Sequence, residues 1–290
     1  EEKNMKIKIQ TIIAALAIYS SSILGQQIDS HSEEFFILLD HPDQQVRAYA
    51  QYSLEAKHGE KYSDIFAAYK QQEIAILIGM LKGKSKGMHK KAITILSKRG
   101  SIAVLPLAKV LEEKDKDYKI RAMHTIYRIG KKASKAIPAL VRLLDDQDAE
   151  IRIMASKCLR KMRKETNTFA PQLVKSLQDE NLDVRRNIIK IFEAMDSQAI
   201  IGIPALIANL QEPKLQTHAA KALIAIGDPA IPALIESLES KDVKAKTYAV
   251  ESLGEIGAKK AEEKLRSILP QKKEVYGIQD VYLAEAIEAA

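Results

Sequence analysis

The chain has 290 residues, of which 46% are hydrophobic, 29% are charged and 5% are aromatic. This aliphatic content excludes an intrinsically disordered chain, because such chains lack the apolar residues that offset the entropy cost of folding. The only cysteine is Cys158, which excludes an internal disulfide. The formal net charge of +7 mildly favours anionic partners.

Residues 1–26 are similar to a secretory signal peptide. Four residues precede Met5, a short cationic stretch follows, and an apolar run of about fifteen residues ends at the small residue Gly25. As a helix this run would span only ~23 Å of the ~30 Å hydrocarbon core, so no stable membrane span is expected after cleavage. We therefore predict export to the periplasm or the extracellular space. The alternative is an apolar helix that caps the fold of a cytoplasmic protein.

Two segments come before the regular part of the sequence. Residues 62–81 show no clear break and predict one long helix. The sequence GKSKG at residues 83–87 follows and predicts a turn. It lacks the spacing of a phosphate-binding loop.

From residue 103 a short phrase returns about every thirty residues, and a second periodic segment follows each copy. This period predicts an array in which each unit is a pair of helices, and one elongated all-α domain over residues 32–290. The prolines in these phrases suit the first turn of a helix. The copies are AVLPLAKVL from Ala103, AIPALVRLL from Ala136, APQLVKSL from Ala170, GIPALIANL from Gly202 and AIPALIESL from Ala230.

The second helices align on their last residues. Eight residues before this position the residue is almost always alanine, and four residues before it stands leucine, isoleucine or phenylalanine, so both columns predict a buried stripe where helices cross closely. Glycine at the end favours a left-handed helix stop. Cys158 falls in a neighbouring column of small residues and is predicted to be buried. The aligned ends are Gly100, Gly130, Arg163, Asp196, Gly227 and Gly257.

Two polar columns precede the buried stripe. Short acceptors such as Asp115, Asp148, Asn181, Glu212 and Asp242 are expected to cap the second helices. A mostly basic column lies one turn later and is expected to reach carboxylates in its own or the next unit, which would form a ladder along the stack. Its members are Arg47, His89, Lys119, Arg152, Arg185, Gln216 and Lys246.

The unit AIPALIESLESKDVKAKTYAVESLGEIG resembles a HEAT repeat of the short type found in the phycobilisome-lyase-like group. The resemblance covers about residues 32–290. It implies a right-handed α-α superhelix of about seven to eight helical pairs, in which second helices line the inner surface. Proteins of this kind mostly act as scaffolds and adaptors.

No pattern in the sequence predicts catalysis, a cofactor or a metal. The chain has no His-Glu dipeptide and no HExxH, so neither paired-histidine iron binding nor a zinc protease motif is indicated. It also has no tryptophan, which argues against the aromatic pockets of HEAT-like DNA glycosylases. We predict a protein that is not an enzyme.

A row of lysines is the candidate binding site. Lys157, Lys190 and Lys221 fall six residues before the aligned helix ends, nearly opposite the buried stripe, and successive helices would space them ~8–10 Å apart. Lys98, Arg128, Arg160 and Lys161 are expected beside them. One interpretation is an ordinary solvated helix face. The other is a basic groove for an acidic segment or an anionic polymer.

These observations predict a scaffold or adaptor that binds another protein along one face of the stack, with an acidic segment as the expected point of contact. One alternative is the HEAT module of a larger exported enzyme whose catalytic part lies outside this chain. The other is a basic solenoid that binds nucleic acid or another polyanion, with nucleic acid the less favoured partner.

Overall fold

The computed structural model describes residues 44–58 and 62–257, together with Phe35, Leu38 and Leu39. The signal-like segment 1–26 and the expected last pair at 262–290 lie outside the described residues. Over the described ranges the regular structure is helical and contains no strand. Contacts divide the chain into two compact units, residues 1–98 and 99–290. A single domain over 32–290 therefore stays a prediction.

The first unit contains three described helices. The long helix expected at 62–81 is confirmed by α2, and the turn expected at 83–87 occupies 83–85 because the next helix already begins at Lys86. Ser85 Oγ accepts a hydrogen bond from the amide of Met88 at 3.4 Å. The helices are α1 (Gln44–His58), α2 (Tyr62–Lys82) and α3 (Lys86–Arg99), the last of which ends one residue inside the second unit.

The second unit is a stack of helical pairs in which each second helix packs against the next. Within residues 99–257 there are five such pairs. The first helices are α4 (Val104–Val110), α6 (Ile137–Arg142), α8 (Ala170–Leu173), α10 (Ile203–Asn209) and α12 (Ile231–Ser237). The second helices are α5 (Lys116–Ile129), α7 (Ala149–Lys161), α9 (Leu182–Phe192), α11 (Gln216–Ile226) and α13 (Val243–Ile256).

The first helices are short, and each follows a stretch of 3₁₀-helix. Pro138, Pro171, Pro204 and Pro232 lie at the first or second helical position, as predicted. A proline tolerates this position because the amide hydrogens of the first turn have no partner inside the helix.

Both buried columns of the second helices are confirmed. The alanine column and the leucine column are fully buried in every described unit. In α9, Ile188 takes the place of the usual alanine and Phe192 takes the place of the usual leucine or isoleucine. Cys158 is fully buried, and its Sγ donates to the carbonyl of Met123 in the preceding second helix at 3.3 Å. Asn187 Nδ2 donates to Ser156 Oγ at 2.9 Å, which joins α9 to α7. The stack is therefore held mainly by aliphatic contacts and pinned by a few buried polar ones.

The ends of the second helices differ from the prediction in detail. The four aligned glycines have positive φ. Gly257 is left-handed α, whereas Gly130 and Gly227 combine positive φ with ψ near −140°. Where glycine is absent the helix ends early: α7 stops before Met162 and α9 before Glu193. Without glycine the chain tightens into turns whose amides bond three residues back.

The predicted caps are confirmed at four second helices and wrong at one. Asp115, Asp148, Asn181 and Asp242 accept hydrogen bonds from backbone amides of the first turn. Glu212 does not cap α11, because Pro213 follows it and disfavours helical geometry in the residue before. The helix begins only at Gln216, after Leu215.

No single helix in the described ranges is both long and apolar enough to cross a membrane. Only α11, joined across a 119° bend to residues 228–237, meets that criterion as a pair.

Candidate functional site

The basic column forms the expected ladder inside the stack. Nζ of Lys119 lies 3.3 Å from Asp146, Nε of Arg152 lies 2.8 Å from Asp179, and Nη2 of Arg185 lies 3.7 Å from Glu212. Each pair joins residues 27 positions apart, so each cation reaches the loop of the next unit. These cations are occupied by carboxylates of the stack itself, which makes the ladder a structural feature.

Arg152 is the most completely bonded cation of the ladder. Its guanidinium binds both carboxylate oxygens of Asp179, the carboxylate of Glu180, and the carbonyls of Asp146 and Gln147. The side chains of Arg152 and Asp179 are each only 8% exposed. Hydrogen bonding to Asp179 raises the pKa of Arg152 above its ordinary value. One side chain therefore joins two successive loops.

The outward-facing cations of the second helices are a separate set. Lys157 and Lys221 are exposed and Lys190 is half-buried. None of the three forms an ion pair with any residue that the structure describes, in contrast to the ladder. The same holds for Arg128 on α5 and Arg160 on α7.

His218 reports on the charge around Lys190 and Lys221. Burial lowers the pKa of His218 below the ordinary 6.5, and repulsion by Lys190 and Arg186 lowers it further; Glu193 opposes this shift, and Lys221 has the smallest effect. Lys190 belongs to α9 and His218 to α11, so this repulsion acts between two neighbouring helices.

A pocket of about 330 Å³ lies at the ends of α5 and α7. Tyr127 forms one wall, and Nζ of Lys161 lies 5.6 Å from the centroid of its ring, within the range of a cation–π contact. The stem of Lys161 also passes Gly130, where a Cβ would lie 3.7 Å from its Cε. The complete lining is Tyr127, Lys131, Lys157, Arg160, Lys161, Arg163, Lys164 and Glu165.

The structure brings together only part of the predicted row. Lys157, Arg160 and Lys161 line the pocket, while Lys190 and Lys221 lie near His218 and Arg128 lines neither place. Lys98 is exposed at the end of the first unit. The sequence analysis did not select Tyr127, which lies within α5, and it aligned Arg163 only as a helix end. It missed Lys131 and Lys164 because the alignment compared helices and ignored the turns that follow them. The basic sequences directly after Ile129 and Lys161 are the signal that was available.

The described residues offer no metal site and no reactive thiol. Nowhere in them do three His, Cys, Asp or Glu residues form a group that could hold a metal ion. Burial raises the pKa of the Cys158 thiol far above its ordinary value, so the nucleophilic thiolate is disfavoured.

Comparison with known families gives the evolutionary context of this stack. A family model described as HEAT repeats matches residues 104–193 and 203–276. The chain belongs to the HEAT repeat family. The matched segments include the five helical pairs of the second unit, and the expected all-α HEAT-type solenoid is confirmed for this HEAT protein. A search of curated proteins found no match.

Three solved structures illustrate what this chain is similar to. One is a designed armadillo repeat protein in complex with the peptide (KR)4, with 20% identity and a TM-score of 0.44, covering 67% of this chain and 98% of that chain. Another is an engineered protein, with 19% identity and a TM-score of 0.47, covering 99% and 85%. A third is the complex of CpcE and CpcF of phycocyanin lyase from Nostoc sp. PCC7120, with 20% identity and a TM-score of 0.43, covering 74% and 94%.

Proposed function

We propose that this HEAT protein is a non-enzymatic scaffold or adaptor. It binds an acidic segment of another protein along the solvent-exposed face of its second helices. The observation that carries this proposal is the division of cations into two sets. The ladder cations are bonded to carboxylates of the stack, whereas Lys157, Lys190 and Lys221 find no carboxylate among the described residues.

Unpaired cations on successive helices favour an extended anionic partner. The outward residues of α7, α9 and α11 carry one positive charge each at the same position of the repeat. Surface lysines of this kind steer an acidic partner during encounter and add to the rate of association more than to the number of direct contacts. Burial is the main cause of the lowered pKa of His218, and repulsion by Lys190 and Arg186 adds to it.

The test is a charge reversal with a charge-matched control. The variant K157E/K190E/K221E is compared with K109E/K135E/K214E, which changes three exposed lysines elsewhere and alters the net charge by the same amount. Binding of a fluorescein-labelled peptide of alternating Glu and Asp is followed by anisotropy and stopped flow. We expect the first variant to bind at least about tenfold more weakly, chiefly through slower association.

Circular dichroism at 222 nm confirms that both variants remain helical. Equal loss of binding in the two triple variants would mean that only net charge matters and would overturn the proposed face. A dT10 oligonucleotide serves as the comparison for nucleic acid. If it binds more tightly than the peptide, with a steep salt dependence, the polyanion-binding alternative replaces the adaptor.

We also propose that the protein acts outside the cytoplasm, on the sequence of residues 1–26. Mass spectrometry of the protein from its native source tests this directly. A mature amino terminus near Gly25 is expected. An intact Met5 terminus recovered from the cytosol would overturn it.

A further inference from the structure

We propose that the pocket at the ends of α5 and α7 binds a phosphorylated side chain of the partner's acidic segment. This inference rests on the proposed function and adds the chemistry of one contact. Six cations surround the pocket and one carboxylate, Glu165, is present. No ion pair joins any of the six to a carboxylate in the part of the chain that the structure describes.

The amount of charge separates this pocket from an ordinary helix end. Basic residues in the last turn of a helix complement the negative end of its dipole, which amounts to about half a charge per helix. The pocket lies at two such ends, so about one positive charge would suffice. Six cations and one carboxylate give a net formal charge of +5. An excess of about four positive charges is therefore left for a ligand.

The geometry of the donors favours phosphate over carboxylate. Arg160 and Arg163 present planar guanidinium groups, which bind two oxygens of a phosphate in parallel. A phosphate monoester carries close to two negative charges and three acceptor oxygens, whereas a carboxylate carries one charge and two oxygens. The cations of the pocket come from three stretches of chain: α7, the turn after Ile129 and the turn after Lys161.

Tyr127 gives the pocket a wall that surface lysines alone would lack. Its half-buried ring and the stem of Lys161 lie against each other, which holds the ammonium group of Lys161 at the rim. The phenol hydroxyl is a further hydrogen-bond donor. At about 330 Å³ the pocket is at the small end of ligand sites, which suits one modified side chain better than a large cofactor.

The experiment compares two peptides of the same sequence, one with a central phosphoserine and one with serine, within a run of Glu and Asp. We expect the phosphoserine peptide to bind at least about tenfold more tightly, the range given by a few charge-assisted hydrogen bonds. The variant R160A/R163A should bind the two peptides with equal affinity, so that the preference is lost. The control R128A changes an exposed arginine outside the pocket and should keep the preference.

The outcomes distinguish the phosphate pocket from the proposed binding of an acidic segment along the second helices. Equal affinity for the two peptides overturns the phosphate pocket and leaves the acidic-segment proposal standing. Binding of neither peptide overturns both. A preference that survives in R160A/R163A, or that disappears equally in R128A, places the phosphate elsewhere and overturns this pocket. Tighter binding of dT10 than of the phosphoserine peptide, lost in R160A/R163A, overturns the assignment to a protein partner.

Discussion

Gly202 packs directly against the ring of Phe192, so closely that a Cβ at residue 202 would lie 2.5 Å from Cε1 and 2.7 Å from Cδ1. Phe192 is fully buried and is the large residue of the leucine column in α9. The missing side chain at Gly202, just before α10, makes room for the aromatic ring.

We predict that Gly202→Ala destabilises the protein by ~1–3 kcal/mol, because the new Cβ forces the fully buried ring of Phe192 or the backbone to shift. Urea unfolding followed at 222 nm measures this. Gly79→Ala is the control, since nothing lies within 4 Å of a Cβ there and alanine is the better helix former. A Gly202→Ala variant as stable as the wild type would show that Phe192 can repack.

The alanine column predicts a second packing effect. Ala155→Phe should cost ~1–3 kcal/mol or more, because this fully buried position lies where two helices cross closely. Ala208→Phe places the same ring at an exposed position of α10 and should change stability by less than about 0.5 kcal/mol. Cys158, the only thiol, gives a second readout. A phenylalanine at residue 155 should push the helices apart, expose Cys158 and speed its reaction with a disulfide reagent. Equal stability and thiol reactivity in both variants would contradict the close crossing.

The ladder predicts unequal effects for two ion pairs. Arg152→Ala should cost about 1.5–3 kcal/mol, because it leaves the nearly buried carboxylate of Asp179 without its charged donor. Lys175→Ala removes a pair with Asp145 in which the side chains are 80% and 64% exposed, and should cost less than about 1 kcal/mol. Thermal unfolding of both variants measures the difference. Equal shifts in Tm would mean that the ladder adds no more than a surface pair.

His218 predicts a pH dependence. Its pKa in the folded protein is below the unfolded value of 6.5, so the unfolded chain binds more protons as the pH falls below 6.5. The contribution of neutral His218 is complete above pH 6.5 and is lost as the pH falls through the folded pKa. The free energy of unfolding should therefore decrease more steeply in the wild type than in His218→Gln over this range.

Binding of an acidic peptide should reverse part of this shift. A polyanion beside Lys190 and Lys221 favours the protonated imidazole and raises the pKa of His218. Titration of the His218 ring protons by NMR, with and without the Glu–Asp peptide, measures the change. An unchanged titration in the presence of bound peptide would place the peptide away from these lysines.

The buried architecture could be predicted from the sequence because burial follows the helical period. Ala155 and Leu159 stand in columns that repeat in every unit, and no other arrangement buries them all. The residues that cap the second helices could be predicted from the same repeat. The exception is α11, where Pro213 displaces the start of the helix and Glu212 pairs with Arg185 instead. That exception depends on the backbone preference of the residue before a proline, which an alignment of repeat positions does not show.

The pocket could be predicted only in part. Lys157, Arg160 and Lys161 stood in the predicted row, but their neighbours Tyr127 and Lys131 lie about thirty positions earlier in the chain. Contacts of that kind depend on how the turn after one second helix meets the end of the next. The direction of each turn is set by non-helical backbone angles at Gly130 (φ 69°, ψ −136°) and Met162 (φ −113°, ψ 25°), which the repeat pattern does not encode.

The ladder of ion pairs is interrupted at α11. At the start of α11 the basic column holds Gln216, whose buried Nε2 finds no acceptor among the residues that the structure describes. Cooperative unfolding along a repeat stack depends on the strength of each joint between neighbours. Three successive ion pairs link the helical pairs from α4 to α11, whereas a side-chain hydrogen bond between α11 and α13 joins the hydroxyl groups of Thr217 and Tyr248. The amide protons of α13 should therefore exchange with solvent before those of α7 and α9, as a partly independent folding unit.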